Sequence, residues 1–211
     1  MGRNIGPCCR LCRTEKVKLY LKGERCKSDK CPITKKKGQP GRGPKARVKK
    51  LSNYALQLRE KQKLKRIYGL FEKQFRLYFQ KAARLKGVTG ENLFRLLERR
   101  LDNIVYRMHF AASRKQARQL VKHGHVLVNN KKIDIPSYLV KENDVIAIKE
   151  KSKNLMVVKE GLKEYTSSGV VPWLEVNPDT VTGVVKSIPR RSDLVDMQEI
   201  KEQLVVELYS K

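Results

Sequence analysis

The sequence has no long hydrophobic run. No segment approaches the roughly 18 consecutive apolar residues that a membrane-spanning helix needs. The N-terminus also lacks the basic start, apolar stretch and small-residue cleavage site of a secretory signal. We therefore expect a cytoplasmic protein without a membrane partner, in which thiols stay reduced.

Histidine is scarce, and its placement is narrow. The chain has three histidines, all between His109 and His125. No Cys–His or Ser–His pair of the kind that activates a nucleophile is evident. This scarcity weighs against hydrolytic or transferase chemistry.

Acidic residues are too few to balance the basic ones. Among 211 residues, 48 are Lys or Arg and 21 are Asp or Glu, which gives a formal net charge of +27. The net charge is +14 over residues 1–50, +8 over 51–89, +7 over 90–153 and −2 over 154–211. A surplus of this size indicates a polyanionic partner, and its distribution predicts a cationic surface that ends near residue 153.

The five cysteines all fall within the first 31 residues. Cys9 and Cys12 are separated by two residues, and Cys26 and Cys31 by four, so two short thiolate pairs could close one tetrahedral site. We predict a single structural Zn²⁺ ion held by Cys9, Cys12, Cys26 and Cys31, because the segment has too few apolar residues to fold on its own core. The alternatives are a register that starts at Cys8, free thiols, or an iron–sulfur cluster.

Residues 35–45 are basic and rich in Gly and Pro, and they have no apolar periodicity. This composition predicts an extended linker. It could be a solvated tether, but its density of positive charge favours ordering against phosphate.

A helical pattern runs from Ser52 to Lys86. Its apolar stripe is expected to form core and consists of Tyr54, Leu58, Leu64, Tyr68, Phe71, Phe75, Tyr78 and Ala82. Arginine and lysine occupy most of the remaining positions. The segment therefore predicts helices with a strongly basic outer surface.

The stretch from Glu98 to Lys153 organises the chain. Phe94, Leu97, Leu101, Ile104, Val105 and Met108 recur at helical spacing, so they should share one face of a helix. A second helix should open at Ser113 with capping-box spacing to Gln116, bury Ala117, Leu120 and Val121, and end at Gly124. After it, strand-like alternation over 126–128, an Asn129-Asn130 turn and a strand over 145–148 predict a small antiparallel sheet.

The outer face of this second helix is cationic. Arg114, Arg118 and Lys122 follow one another at four-residue intervals, with Lys115 beside them. Like charges at this spacing destabilise an isolated helix, and a partner of opposite charge relieves that cost.

Residues 154–211 differ from the rest of the chain in charge, since their net charge is nearly zero. We predict a β-rich segment whose last strand covers Val205–Tyr209, and we interpret Trp173 as a packing anchor rather than a platform for base stacking.

Several of these motifs resemble a known family. The run SRKQARQLVKHGHVLVNNK, followed by Ile133, Pro136 and residues 143–146, resembles the small RNA-binding module shared by a ribosomal protein, tyrosyl-tRNA synthetases, pseudouridine synthases and a heat-shock protein. The four-cysteine head, the linker, the block SNYALQLREKQKLKRIYGLFEKQFRLYF and the ending IKEQLVVELYSK extend the resemblance to bacterial small-subunit ribosomal protein four. Pro40 stands where many relatives carry histidine, and some relatives lack the cysteines.

The pattern and the resemblance together imply an α+β fold. Its parts would be a zinc-bound basic segment and linker (1–50), a helical domain (51–97), a module of two helices on a curved antiparallel sheet (98–153), and a β-rich C-terminal segment packed on the helical domain (154–211).

The resemblance also implies a function in the cytoplasmic 30S subunit. Family members bind small-subunit ribosomal RNA at a junction in the 5′ domain, nucleate assembly, contact ribosomal protein five and lie where messenger RNA enters, so they affect decoding fidelity. The expected RNA-binding residues are Arg42, Arg47, Lys49, Lys50, Arg59, Lys61, Lys63, Lys65, Arg66, Arg76, Arg114, Lys115, Arg118, Lys122, His123, His125, Lys131 and Lys132.

Two other functions share these motifs. Arg100-Leu101-Asp102 matches the tripeptide around the catalytic aspartate of pseudouridine synthases, but here it lies on the module's first helix, where Asp102 should pair with an arginine such as Arg99. No separate catalytic domain fits in the remaining residues. A free-standing regulator that binds DNA is the other alternative.

Overall fold

The computed structural model describes residues 2, 4–41, 43 and 50–210, apart from the side chains of 167 and 168. Arg42, Arg47 and Lys49, three of the expected RNA-binding residues, lie outside the described residues. The chain forms two compact units: unit 1 contains residues 1–90 and 196–211, and unit 2 contains residues 91–195.

The helices and strands follow one another in a mixed order. The α-helices are α1 (Cys8–Glu15), α2 (Glu24–Lys27), α3 (Asn53–Ile67), α4 (Glu72–Arg84), α5 (Thr89–Glu98), α6 (Leu101–Arg107), α7 (Arg114–Lys122), α8 (Met156–Ser168) and α9 (Glu202–Tyr209). The strands are β1 (Val126–Val128), β2 (Lys131–Lys132), β3 (Val145–Ile148), β4 (Leu174–Asn177) and β5 (Thr182–Val185). Short 3-10 turns cover Glu150–Ser152, Arg191–Asp193 and Val195–Met197. In the part of the chain described, no helix is both long and apolar enough to cross a bilayer.

Helices α3 and α4 form much of unit 1, as the helical pattern predicts. The hydroxyl of Ser52 caps α3 by accepting from the backbone N–H of Ala55 at 3.3 Å, and Gly69 turns the chain with φ +64° before α4. The stripe is buried at Leu64, Tyr68, Phe75, Tyr78 and Ala82.

The prediction of core burial is wrong at two positions of this stripe. Tyr54 is 60% exposed and Phe71 is 48% exposed. Tyr54 lies in the first turn of α3 and Phe71 is the N-cap of α4, so both are at helix ends, beyond the buried face.

The last helix, α9, corrects the prediction of a terminal strand. It packs against α3, and the ring of Tyr209 stacks on Phe79 with centroids 4.6 Å apart. Val205 is fully buried and lies four residues before Tyr209, so both reach the same helix face. This packing outweighs the strand preference of the valine pair, because β-propensity depends strongly on context.

Unit 2 contains one antiparallel sheet with strand order β2-β1-β3-β5-β4. Leu127 pairs with Ala147, and Ile146 pairs with Gly183. Asn129 and Asn130 have φ of +48° and +62°, which suits the two-residue turn between β1 and β2. The predicted hairpin and the strand over 145–148 are confirmed.

Helix α7 covers this sheet as predicted. Ser113 Oγ accepts from the backbone N–H of Gln116 at 3.4 Å, and Gly124 follows the helix with φ +71°. Ala117, Leu120 and Val121 are buried in the same core as the inward side chains of β1 and β3.

The predicted helix over residues 94–108 is interrupted. All six of its stripe residues are buried, but Arg100 is extended with ψ 135° and forms a bridge with Leu139. The backbone N–H of Leu101 donates to Tyr138 O at 2.9 Å. The chain therefore leaves helical geometry for two residues between α5 and α6, which apolar spacing alone does not reveal.

The prediction of a β-rich C-terminal segment is also wrong in part, because α8 and α9 account for more of its residues than β4 and β5. Trp173 is 2% exposed and belongs to the core of unit 2, so its interpretation as a packing anchor is confirmed. The fold class remains a mixture of helices and antiparallel sheet.

Candidate nucleic-acid interface

Exposed basic side chains meet at the C-terminal end of α7. Lys122 and His123 lie at that end, and Lys131 and Lys132 form the neighbouring strand β2; all four are exposed. The Lys132 side chain passes over Gly124, where an added Cβ would lie 2.3 Å from Lys132 Cε. Because residue 124 is glycine, the Lys132 side chain can pass over it. The positive charges at the end of α7 therefore lie next to those of the hairpin.

His125 and Lys149 extend this group. The Nδ1 atom of His125 lies 2.8 Å from Ser152 Oγ, and the rings of His123 and His125 are 6.1 Å apart. Burial lowers the pKa of His125 below its usual value, and the nearby charges of His123 and Lys149 lower it further. We name Lys122, His123, His125, Lys131, Lys132 and Lys149 the hairpin cluster.

Lys149 was not among the residues predicted to bind RNA. Its position follows from strand pairing: Val126 faces Ile148 in antiparallel register, so residue 149 comes opposite residue 125. The backbone N–H of Lys149 donates to His125 O at 2.9 Å. Pairing the two predicted strands would have found it.

The two arginines of α7 have partners inside unit 2. Arg114 Nε donates to Asn103 Oδ1 at 2.8 Å, and its guanidinium lies 4.4 Å from the ring centroid of Tyr106. Arg118 NH1 donates to Asp102 Oδ2 at 3.3 Å. Both predicted phosphate ligands are therefore fixed in orientation by α6, and Lys115 beside them is half-buried.

A buried polar network lies beneath these arginines. Glu98, which is fully buried, accepts from Arg107 Nε at 2.9 Å and from Arg107 NH2 at 3.0 Å. Asn103 Nδ2 donates to the same carboxylate at 2.8 Å, and Asn103 Oδ1 is the atom that receives Arg114. The network thus links the α5–α6 junction to the basic helix α7.

Asp102 pairs with arginine, but not with Arg99. Arg100 Nε and NH2 donate to its two oxygens at 3.1 and 2.9 Å, while Arg99 Nε donates to Val140 O at 2.9 Å. With Arg118 also bound, both carboxylate oxygens are engaged, and Asp102 is 5% exposed. This arrangement gives the carboxylate a structural role in orienting arginines.

On α3, most of the predicted RNA-binding cations are already in ion pairs. Glu72 binds Lys61 Nζ at 2.5 Å, Lys65 Nζ at 2.8 Å and the hydroxyl of Tyr209 at 2.8 Å. Partial burial acts to raise the pKa of Glu72, but the hydrogen bonds from these three groups outweigh it and lower the pKa to about 2.

A second set of ion pairs joins α1 to α3. The carboxylate of Glu15, whose side chain is fully buried, binds Arg59 at 3.3 Å and also binds Arg66. Burial raises the pKa of Glu15 despite the opposing charges of Arg66 and Arg59. Lys63 pairs with Glu60 at 2.6 Å. Arg76 and Lys50, by contrast, are exposed.

The four cysteines of the predicted zinc site influence one another. Burial is the main cause that raises the pKa of Cys12, and the thiols of Cys26, Cys9 and Cys31 raise it further. Burial likewise raises the pKa of Cys26, as do Cys31 and Cys9. Cys12 and Cys26 are therefore each affected by the charges of other cysteines of the predicted site.

Backbone N–H groups point at two of these sulfurs. The N–H of Lys22 donates to Cys26 Sγ at 3.4 Å. Burial opposes ionisation of Cys31, but hydrogen bonds from Thr34 and Ile33 and the charge of Lys18 outweigh it and lower the pKa of Cys31. Among the described residues, no group of three or more Cys, His, Asp or Glu side chains has the geometry of a formed metal site.

A cationic helix and hairpin on a small antiparallel sheet define a polyanion-binding protein, and comparison with known proteins agrees with this class. Residues 3–98 match the family described as ribosomal protein S4/S9 N-terminal domain, and residues 99–146 match the S4 domain. Relatives named small ribosomal subunit protein uS4 are 56% identical in Thermoanaerobacter sp. (strain X514), 55% in Geobacter sulfurreducens and 54% in Trichlorobacter lovleyi. Each alignment covers 211 residues and 100% of both chains. The chain belongs to the uS4 family of small ribosomal subunit proteins.

Proposed function

We propose that this protein is a structural component of the small ribosomal subunit and binds the subunit's RNA. The observation that carries this proposal is the full-length similarity to proteins named small ribosomal subunit protein uS4. The formal net charge of +27 and the hairpin cluster supply the physical basis, because ribosomal RNA is the polyanion of that particle.

The contacts are expected to involve phosphates and 2′-hydroxyls rather than base edges. The deep groove of an RNA helix is closed to side chains, so structured RNA is bound largely through its shape. The exposed Lys122, Lys131 and Lys132 suit phosphates as mobile point charges, and the half-buried Lys149 lies beside His125. Arg114 and Arg118 are held by their partners on α6, so their positive charges keep a fixed position on this helix.

The family resemblance supports a finer version of the proposal. The RNA target would be a helical junction in the 5′ domain, where binding nucleates assembly. The protein would contact ribosomal protein five, lie where messenger RNA enters the subunit, and influence decoding fidelity. Residues 1–50, 51–97 and 98–153 would contribute most of the RNA-binding surface, since the surplus of positive charge ends there.

We also propose one structural Zn²⁺ ion bound by Cys9, Cys12, Cys26 and Cys31. The chemistry of the donor set supports the proposal, because four thiols that influence one another's ionisation are the ligands that a closed tetrahedral zinc site needs. N–H groups directed at the sulfurs of Cys26 and Cys31 are the outer-shell contacts that stabilise thiolates. The ion would hold α1 and α2 together, and four sulfur ligands leave no position for a substrate.

Titration with RNA and DNA tests the main proposal. The full-length protein is titrated with a 5′-domain transcript and with duplex DNA of equal length at several salt concentrations. Both affinities should fall with salt through counterion release, and only the RNA should stay tightly bound at high salt. Equal affinity for both would favour the DNA-binding alternative. Formation of isomerised uridine in ribosomal RNA by the purified protein would favour the enzyme alternative.

A further inference from the structure

Helix α4 carries a second basic surface, separate from the hairpin cluster. Lys73, Arg76, Lys81 and Arg84 are all exposed, and none forms an ion pair with any carboxylate among the described residues. Burial and the hydrogen bond to Glu72 raise the pKa of the Tyr209 hydroxyl, and the positive charge of Arg76 opposes this rise. We name these four residues the α4 strip.

The strip lies on one side of the helix. Its positions recur at intervals of three to five residues, so at 3.6 residues per turn they fall within less than half of the circumference. The other side of α4 is fixed by packing, because Phe75, Tyr78, Phe79 and Ala82 are buried and Phe79 stacks on Tyr209. The four cations therefore point away from the core of unit 1 along about 16 Å of helix axis.

Helix α3 has a different charge arrangement. Its Arg59, Lys61, Lys63, Lys65 and Arg66 have carboxylate partners. The α4 strip has none in the described chain, and its like charges at three-residue spacing repel one another. Since no described carboxylate pairs with this face, an external anion would relieve its unbalanced charge.

The composition of the strip indicates which anion. A protein partner needs an apolar, largely uncharged centre to its interface, and interface centres are depleted in lysine. Here the positions between the cations are Leu77 and Gln80, so a single large apolar side chain lies among charged and polar ones. Mobile cations spaced along a helix suit a phosphate backbone, which binds through position and charge without reading bases.

We infer that the α4 strip binds the phosphate backbone of an RNA helix. This inference rests on the proposed function and assigns the contacts to Lys73, Arg76, Lys81 and Arg84. Among these, only Arg76 is indicated by the sequence-based prediction. The paired cations of α3 then serve the fold of unit 1 more than they serve the RNA.

The test measures how RNA affinity depends on salt. In the strip variant, Lys73, Arg76, Lys81 and Arg84 are changed to Gln in the full-length protein, which is then bound to the 5′-domain transcript. A loss of four phosphate contacts should flatten the plot of log affinity against log salt by about three units. At 0.1 M salt the affinity should fall by about 10²- to 10³-fold.

A matched control removes the same charge elsewhere. Lys159, Lys163, Lys186 and Lys201 are exposed lysines in the nearly neutral C-terminal part, and their change to Gln should alter the slope by less than one unit. Thermal unfolding of both variants should match the wild type, since all eight residues are exposed.

The outcomes separate the two proposals. If the wild type does not prefer the transcript, the proposed function fails. If the wild type binds and the strip variant keeps the slope and affinity of the control variant, the strip is a solvated face and this inference is wrong. Retained RNA binding with loss of a ribosomal protein partner would also overturn it.

Discussion

Arg118 shares the carboxylate of Asp102 with Arg100, which is fully buried. Asp102 lies two residues after Arg100, where the backbone leaves helical geometry between α5 and α6. Arg118 lies on α7, the helix predicted to face RNA. One aspartate thus neutralises a buried cation and orients an outer one.

Replacement of Asp102 by Asn should therefore be strongly destabilising. It removes the carboxylate charge that accepts two hydrogen bonds from the fully buried Arg100, which should cost about 3–5 kcal/mol in free energy of unfolding. Urea denaturation measures the loss. As a control, Arg99→Gln removes a bond to a backbone carbonyl and should cost about 1 kcal/mol. A loss below 1 kcal/mol for Asp102→Asn would show that the pair is dispensable.

Zinc should copurify with the reduced protein at one ion per chain. Cys26→Ser removes a proposed ligand and should abolish the metal, whereas Cys8→Ser should retain it, because Cys9 and Cys12 have the two-residue spacing of the proposed ligand pair. Metal analysis by mass spectrometry gives both values. Loss of zinc from Cys8→Ser and its retention in a Cys9→Ser protein would assign the ligand to the other register.

Gly161→Ala should destabilise unit 2 although it lies in a helix. Alanine normally favours a helix by about 1 kcal/mol over glycine. An added Cβ would lie 2.4 Å from His109 O and 2.7 Å from the backbone N of Ala111, and backbone atoms cannot move aside easily. We expect a net loss of about 1–3 kcal/mol in chemical denaturation. Gly38→Ala, with no atom within 4 Å of the added Cβ, should change stability by less than about 0.5 kcal/mol.

Acid should weaken unit 1 through Glu72. Its pKa in the folded protein is about 2, below the ordinary 4.5, so the folded state binds fewer protons between these values. The resulting stability is present above pH 4.5 and is lost as the pH falls towards 2. Because 46% of the side chain is exposed, solvent screening reduces its contribution to about 1 kcal/mol. Thermal unfolding of Glu72→Gln should depend less on pH in this window than that of Glu91→Gln.

RNA binding should be coupled to proton uptake at His125. Its pKa is lowered in the free protein, so the ring is neutral at pH 7, and an adjacent phosphate would favour the protonated form. Affinity should then rise by up to about tenfold between pH 7.5 and 6. Calorimetry in buffers of different ionisation enthalpy measures the uptake. His125→Gln should abolish it, and His109→Gln, outside the hairpin cluster, should not. Equal pH dependence of both variants would contradict this assignment.

The sequence predicts the central module well because its signals are local. Ser113, Gly124 and the Asn129-Asn130 turn mark the ends of α7 and of the hairpin, and each requires a particular backbone conformation. The strand pattern around them then fixes which side chains are buried.

The predictions that were wrong concern residues whose structure depends on tertiary contacts. Residues Val205–Tyr209 read as a strand, and only packing on α3 and the stack of Tyr209 on Phe79 make them helical. Arg100 interrupts a regular apolar stripe because its backbone pairs with Leu139. For the cations of α3 the prediction of RNA contacts stays a prediction, and charge counts alone do not reveal that Glu15, Glu60 and Glu72 pair with them.

Unit 1 is assembled from both ends of the chain, with α9 seated on α3. Unit 2 is one continuous segment, residues 91–195. It can therefore fold while the protein is still being synthesised. Unit 1 must wait for α9, which is synthesised after the whole of unit 2. A chain truncated after residue 195 would therefore keep the residues of unit 2 but lack the ring that stacks on Phe79, and the apolar surface exposed on unit 1 would favour aggregation.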